Sequence, residues 1–177
     1  MSIEYTLKPS ARARTMRLTV FPDARVVVTT PRVFAHDAVQ RFIAKHAAWI
    51  GKHLKKARGR EIVYISRREI AGQKQRALAY ARARCSHFCA TYGFTYNKIS
   101  IRAQKSRWGS CSQKGNLSFN YKIAALSPHM RDYIIVHELC HLAEMNHSKR
   151  FWDLVARAIP HHKEIRRELR KIAVVCQ

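Results

Sequence analysis

Between Thr15 and Pro31 the chain alternates. Met16, Leu18 and Val20 are separated by Arg17 and Thr19, the period of two expected of a strand with one buried face. Pro22-Asp23-Ala24 supplies a turn, Val26 to Thr30 is β-branched, and Pro31 closes the segment, so a β-hairpin is expected. From about Asp37 the period changes. Val39, Phe42, Ile43, Ala47, Ile50 and Leu54 recur at helical spacing, with Arg41, Lys45 and Lys52 off that face. One helix is expected there, fraying in the basic connector "KKARGRE". Glu69 to Tyr92 reads as a second helix, ended by Gly93.

Lys98 to Arg102 alternates like a strand, and Ser106 to Cys111 with Asn116 to Tyr121 reads as a hairpin turning at Lys114-Gly115. Ser127 followed by Pro128 marks a helix start. In that helix Met130, Tyr133, Ile134, Val136 and Leu139 form a buried face, and Asn146 suits the left-handed residue that closes it. "SKRFWDLVARAI" and "KEIRRELRKIAVV" read as two further helices split by Pro160. The fold class is α+β, with no internal repeat and no low-complexity segment.

At 177 residues the chain suits one well-buried domain, in which residues 1–60 hold the first hairpin and helix and residues 61–177 the rest. Charge changes the picture: 34 Lys+Arg against 11 Asp+Glu give a formal +23. Such a field attracts nucleic acid, anionic membranes or acidic ligands, and its plainest consequences are solubility and non-specific attraction. The start, "MSIEYTLKPS", lacks the apolar core of a signal peptide, and no run is long enough to span a bilayer. The five cysteines form no CxxC pair, which points to reduced thiols and a cytoplasmic protein.

The candidate chemistry lies in "HELCHLAEMNH", His137 to His147. At about 100° per residue, His137 and His141 fall roughly 40° apart around a helix, one turn from each other, where one cation can be shared. Glu138 lies in the same third of the circumference and can reach a metal-bound water without being a ligand. His147 follows the expected helix end, and a chain that turns at Asn146 returns it to the same metal. Three protein ligands leave a fourth position for water, the pattern of a catalytic zinc site. His36, His46, His53, His87 and His129 read as structural or solvated, and His161-His162 as solvated. Cys140 and Cys111 read as packing residues.

"RWGSCS" at Arg107–Ser112, "GNLSFN" at Gly115–Asn120, "DYIIVHELCHL" at Asp132–Leu142 and "NHSKRFW" at Asn146–Trp152 resemble the YgjP-like metallopeptidase family. The N-terminal hairpin and "AAWI" at Ala47–Ile50 extend the resemblance over nearly the whole chain. It implies a zincin-like catalytic core, a small antiparallel sheet packed on helices, in residues 61–177. It also implies zinc held by His137, His141 and His147, Glu138 as the catalytic carboxylate, and kinship with SprT-like proteases that act around DNA. The histidine spacing equals that of metzincins, but Glu144 stands where those have their turn glycine, and no methionine-turn sequence is present.

The expected reaction is peptide-bond hydrolysis. Glu138 accepts a proton from a zinc-activated water and passes it to the leaving amine. Asn120 and the edge of the Asn116–Tyr121 strand are candidates for docking an extended protein or peptide substrate by main-chain pairing. Arg107 and Trp108 are candidates for the cleft wall, and Glu144 for a hydrogen bond to a ligand histidine. Two other classes stay open. One is a metal-dependent nucleotide phosphohydrolase that releases pyrophosphate. It is favoured by the charge and disfavoured by the absence of a phosphate-binding glycine loop and a Mg²⁺ carboxylate cluster. The other is a basic nucleic-acid-binding module with a structural zinc. Glu138 argues against it, since a structural site needs no base. No residue pattern defines a specificity pocket or an oligomer contact.

Overall fold

Alternation from Arg17 to Val20 and the β-branched run after the turn produce strands β2 and β3 of a three-stranded sheet. The computed structural model describes residues 3–177; Met1, Ser2 and the His36 side chain lie outside the described residues. Strands β1 (Thr6–Pro9), β2 (Arg17–Val20) and β3 (Val26–Thr30) assemble in the order β1-β3-β2. β2 and β3 are the expected antiparallel pair, with Leu18 opposite Val28. Ala24 takes the left-handed conformation (φ 64°) at their turn, and the Phe21 N–H donates to the Arg25 carbonyl at 2.8 Å. β1 adds in parallel, Leu7 opposite Val28, although its short, mostly exposed sequence carries no strand pattern.

The single helix expected after Asp37 is two: α1 (His36–Lys45) and α2 (Ala47–Arg58). They break at His46, whose Nδ1 donates to the Phe42 carbonyl at 2.8 Å while its backbone leaves the helical region (φ −105°, ψ 11°). The apolar face read through this segment is real, because Val39, Ile43 and Ile50 pack with Val26 and Val28 into one core. β4 (Glu61–Ile65) follows, beginning at the last residue of the connector "KKARGRE", in a stretch for which no element is expected.

A second body begins within β4, at Val63. Ser66 and Glu69 form a reciprocal capping box around the 3₁₀ turn Arg67–Glu69, which leads into α3 (Ile70–Tyr92). Gly93 ends α3 in the left-handed conformation (φ 70°). β5 (Lys98–Arg102), β6 (Gly109–Cys111) and β7 (Asn116–Asn120) form a sheet in the order β5-β7-β6. This sheet is mixed, not antiparallel throughout: β6 and β7 are the expected hairpin, while β5 runs parallel to β7 with Ile101 beside Phe119.

A 3₁₀ turn (Tyr121–Ala125) precedes α4 (Pro128–Cys140). α4 starts as expected at Ser127-Pro128 and packs against α3, α5 (Lys149–Ala158) and β6. α6 (His162–Lys171) completes the helices. The apolar run after it, read as the end of that helix, is strand β8 (Ile172–Cys176), and β4 and β8 make a two-stranded sheet. Val174 and Val175 are β-branched and buried, and that context favours the strand.

The chain divides into two compact units, one running to Ile62 and including Lys171–Val175, the other comprising Val63–Arg170 with Cys176–Gln177. No described helix is long and apolar enough to cross a membrane.

Candidate active site

α4 is buried nearly all round, which makes it a rigid carrier for the polar residues on it. Ile134, Ile135, Val136, Leu139 and Cys140 are buried, and so are Glu138 and His141. The helix ends at His141 in right-handed geometry, and i→i+3 bonds from Leu142 and Ala143 tighten the exit. Asn146 does not take the left-handed conformation expected of it; Ala24 is the one non-glycine residue with positive φ among those described. The chain returns through bends, and Ser148 caps α5 by accepting from the Phe151 N–H at 3.3 Å.

That return brings the three histidines together. One ligand atom from each of His137, His141 and His147 lies within 4.8 Å of the other two. His137 Nε2 and His147 Nε2 are 3.1 Å apart, close to the separation of about 3.3 Å for two nitrogens bound tetrahedrally to one zinc. His141 Nδ1 is 3.0 Å from the Glu144 carbonyl. A carbonyl only accepts, so Nδ1 carries the proton and the lone pair is on Nε2. The partner that orients His141 is therefore the main chain of Glu144, not its carboxylate. Phe151, fully buried, contacts all three rings, its centroid 4.9, 4.5 and 4.7 Å from those of His137, His141 and His147. Burial, reinforced by the neighbouring His141 and His147, holds the His137 pKa down to about 3, and burial also lowers that of His147. Neutral imidazoles are the form a metal takes, and three such nitrogen donors suit zinc.

Glu138 is 7% exposed, and burial pushes its pKa up to about 8 against the opposing pull of Arg107. Gly109 on β6 makes room for it: a Cβ there would lie 2.6 Å from Glu138 Cγ and 2.7 Å from Oε1. Gly109 is not among the residues expected at the site, although a glycine inside a strand is itself a signal of close approach. A recess of about 250 Å³ opens beside Glu138, lined by His137, Glu138, Arg107, Trp108, Tyr133 and Arg166 among others. Arg107 and Trp108 thus lie at the cleft.

Asn120 lies elsewhere. It is 2% exposed, donates to the carbonyls of Gln104 (2.7 Å) and Arg107 (2.9 Å), and accepts from the Lys122 N–H (3.2 Å). Its strand β7 is central in the sheet, with both edges paired, so the docking edge expected there does not exist. The unpaired edges among the described residues are those of β5 and β6, and β6 is the one that carries Gly109 beside Glu138. His162, expected to be solvated, is buried and stacked on Trp152 at 5.5 Å. Cys140 is buried as expected, and burial raises the Cys111 thiol to about 11, so it stays protonated.

The sequence pattern of the family described as YgjP-like, metallopeptidase domain, matches residues 14–74 and 65–172. The chain belongs to the YgjP-like metallopeptidase family. As a YgjP-like metallopeptidase it is a metal-dependent hydrolase of peptides or proteins, and its three-histidine group can hold the metal. Among solved structures it is similar to the metallopeptidase zymogen abylysin of Pyrococcus abyssi, at 26% identity over 50% of this chain and 90% of that one, with a TM-score of 0.47. It is also similar to the metallopeptidase zymogen jannalysin of Methanocaldococcus jannaschii, at 20% identity over 50% of this chain and 92% of that one, with a TM-score of 0.45. Curated proteins offer no significant match.

Proposed function

We propose that the protein is a zinc peptidase in which His137, His141 and His147 hold the ion and Glu138 is the general base. The observation that supports this most is the convergence of three imidazoles within 4.8 Å, with one buried carboxylate beside them at an open recess. When bound, zinc polarises a carbonyl and lowers the pKa of a water to about 7. Glu138 would take a proton from the attacking water and return it to the leaving amine. The free edge of β6 accepts the substrate backbone as an added strand, and Arg107 and Trp108, which immediately precede β6, contact its side chains. All these residues belong to the second unit. The cysteines are free, in keeping with a cytoplasmic protein.

The phosphohydrolase reading has less support, because Glu138 is the single acid lining the recess and no cluster of carboxylates for Mg²⁺ stands beside it among the described residues. A structural zinc would leave the buried Glu138 without a purpose. The decisive variant is Glu138→Gln. It keeps zinc and fold and loses protein hydrolysis by roughly 10²–10⁴-fold. His147→Ala lowers zinc occupancy, measured by metal analysis. A Gln variant as active as wild type would reduce the site to a structural anchor.

A further inference from the structure

Three cations share the recess beside Glu138. Arg107 enters from the segment before β6, and Arg166 and Arg170 from α6, where they are one helical turn apart. All three are exposed, and none is ion-paired to a carboxylate among the described residues. Arg166 is further oriented by lying over the Trp152 ring at 4.9 Å. Unpaired arginines are common in a chain of net charge +23. These differ in converging on a space of about 250 Å³ that also holds His137 and Glu138. The recess on the His141 side is larger, about 660 Å³, and Lys114 is the only Lys or Arg lining it. The two sides of the site therefore differ in size and in charge.

We propose that the arginine-lined recess is a subsite for a carboxylate of the peptide substrate, carried by an Asp or Glu next to the scissile bond or by the chain's own C-terminus. The proposal rests on the peptidase reading. The volume is below that of a drug-sized pocket and suits one side chain. Guanidinium forks match a carboxylate in shape and charge, and Trp108 and Tyr133 add apolar wall beside them. An incoming carboxylate also meets Glu138, a like charge when ionised, and the three arginines offset that repulsion. A cationic substrate side chain meets only repulsion from them, which adds selectivity against it.

The test uses the zinc-loaded enzyme and peptides blocked at both ends, identical except for Glu, Gln or Lys scanned along each side of the cleaved bond. A parallel set has free C-termini. Glu at one position should raise kcat/KM at least about tenfold over Gln, with Lys poorest, and the preference should shrink with added salt. Arg170→Glu and Arg166→Glu should retain zinc and shift the preference toward Lys. A preference seen only with free C-termini would assign the carboxylate to the chain end. Equal cleavage of Glu, Gln and Lys peptides overturns the subsite and leaves the peptidase reading intact. If no peptide is cleaved in a Glu138-dependent way, the peptidase reading falls, and binding of fluorescent Glu and Gln peptides decides the subsite. Tighter binding of the Glu peptide that disappears in Arg170→Glu sustains it, and equal binding overturns it. Glu138-dependent hydrolysis of a nucleoside triphosphate, with all peptides intact and bound equally, overturns both.

Discussion

A methyl group on residue 109 would lie 2.6 Å from Cγ of Glu138, a side chain with almost no room to move. Gly109→Ala should therefore displace the carboxylate without touching a ligand histidine. We expect kcat/KM to fall about 10²-fold, since a shift of an ångström in a reacting group has that effect. Zinc content should remain at the wild-type level, and metal analysis beside kinetics checks both. The titrating residues give a second expectation, for metal-free protein. His137 is depressed from 6.5 to about 3, so its neutral folded form contributes stability above about pH 6.5 that is lost as pH falls toward 3. Glu138 is raised from 4.5 to about 8, so its contribution is complete below 4.5 and is lost as pH rises toward 8. Between about 4.5 and 6.5 the two slopes oppose each other, and the likewise depressed His147 adds to the His137 side. Chelator-treated protein should lose stability in denaturant titrations both as pH falls below about 4.5 and as it rises above about 6.5, and Glu138→Gln should abolish the alkaline fall.

Between elements, the contact of α3 with α4 is held by one partly buried ion pair. Arg84 Nε and Nη2 donate to the two oxygens of Asp132 at 2.7 and 2.8 Å, and the Tyr80 hydroxyl donates to the same carboxylate at 2.7 Å. Arg131 lies over the Tyr80 ring at 4.1 Å and completes the cluster. Asp132→Ala leaves Arg84 without its acceptor and Tyr80 with only the Pro128 carbonyl, at 3.2 Å. With Asp132 19% exposed, a loss of about 2 kcal/mol is expected in urea unfolding. Zinc binding should survive, because α4 keeps its apolar contacts. Asp132 lies inside the block "DYIIVHELCHL", where the sequence offers a resemblance and no partner for it. Its partners lie 48 and 52 positions earlier in the chain, with the β5-β7-β6 sheet between, and no periodicity reports them.

At the scale of the molecule, the formal +23 is distributed over both units, and the site occupies one of them. If the basic surface binds nucleic acid, affinity should fall steeply between low and physiological salt, because each neutralised phosphate releases counterions. A gel-shift series in which log affinity is flat against log salt would leave the charge as a solubility feature. Measuring it with Glu138→Gln separates this binding from turnover.

Local pattern determined what is local. The i, i+4 spacing of His137 and His141, the start of α4 at Ser127-Pro128, the end of α3 at Gly93 and the hairpin of β2 with β3 each depend on a few consecutive residues, and all are legible in the sequence. Asn146 shows where this stops: a residue able to adopt the left-handed region did not need to, because bends returned His147 instead. The parallel addition of β1 to β3 and of β5 to β7, and the strand state of Ile172–Cys176, were decided by partners distant in the chain. The same holds for the site. That Asn120 serves the loop at Gln104–Arg107, that Gly109 makes space for Glu138, and that Arg166 and Arg170 reach the recess follow from the packing of α4 on β6 and from the position of α6. Helical spacing places two ligands on one face within a single turn. Cleft walls are drawn from separate elements, and only the folded chain brings those together.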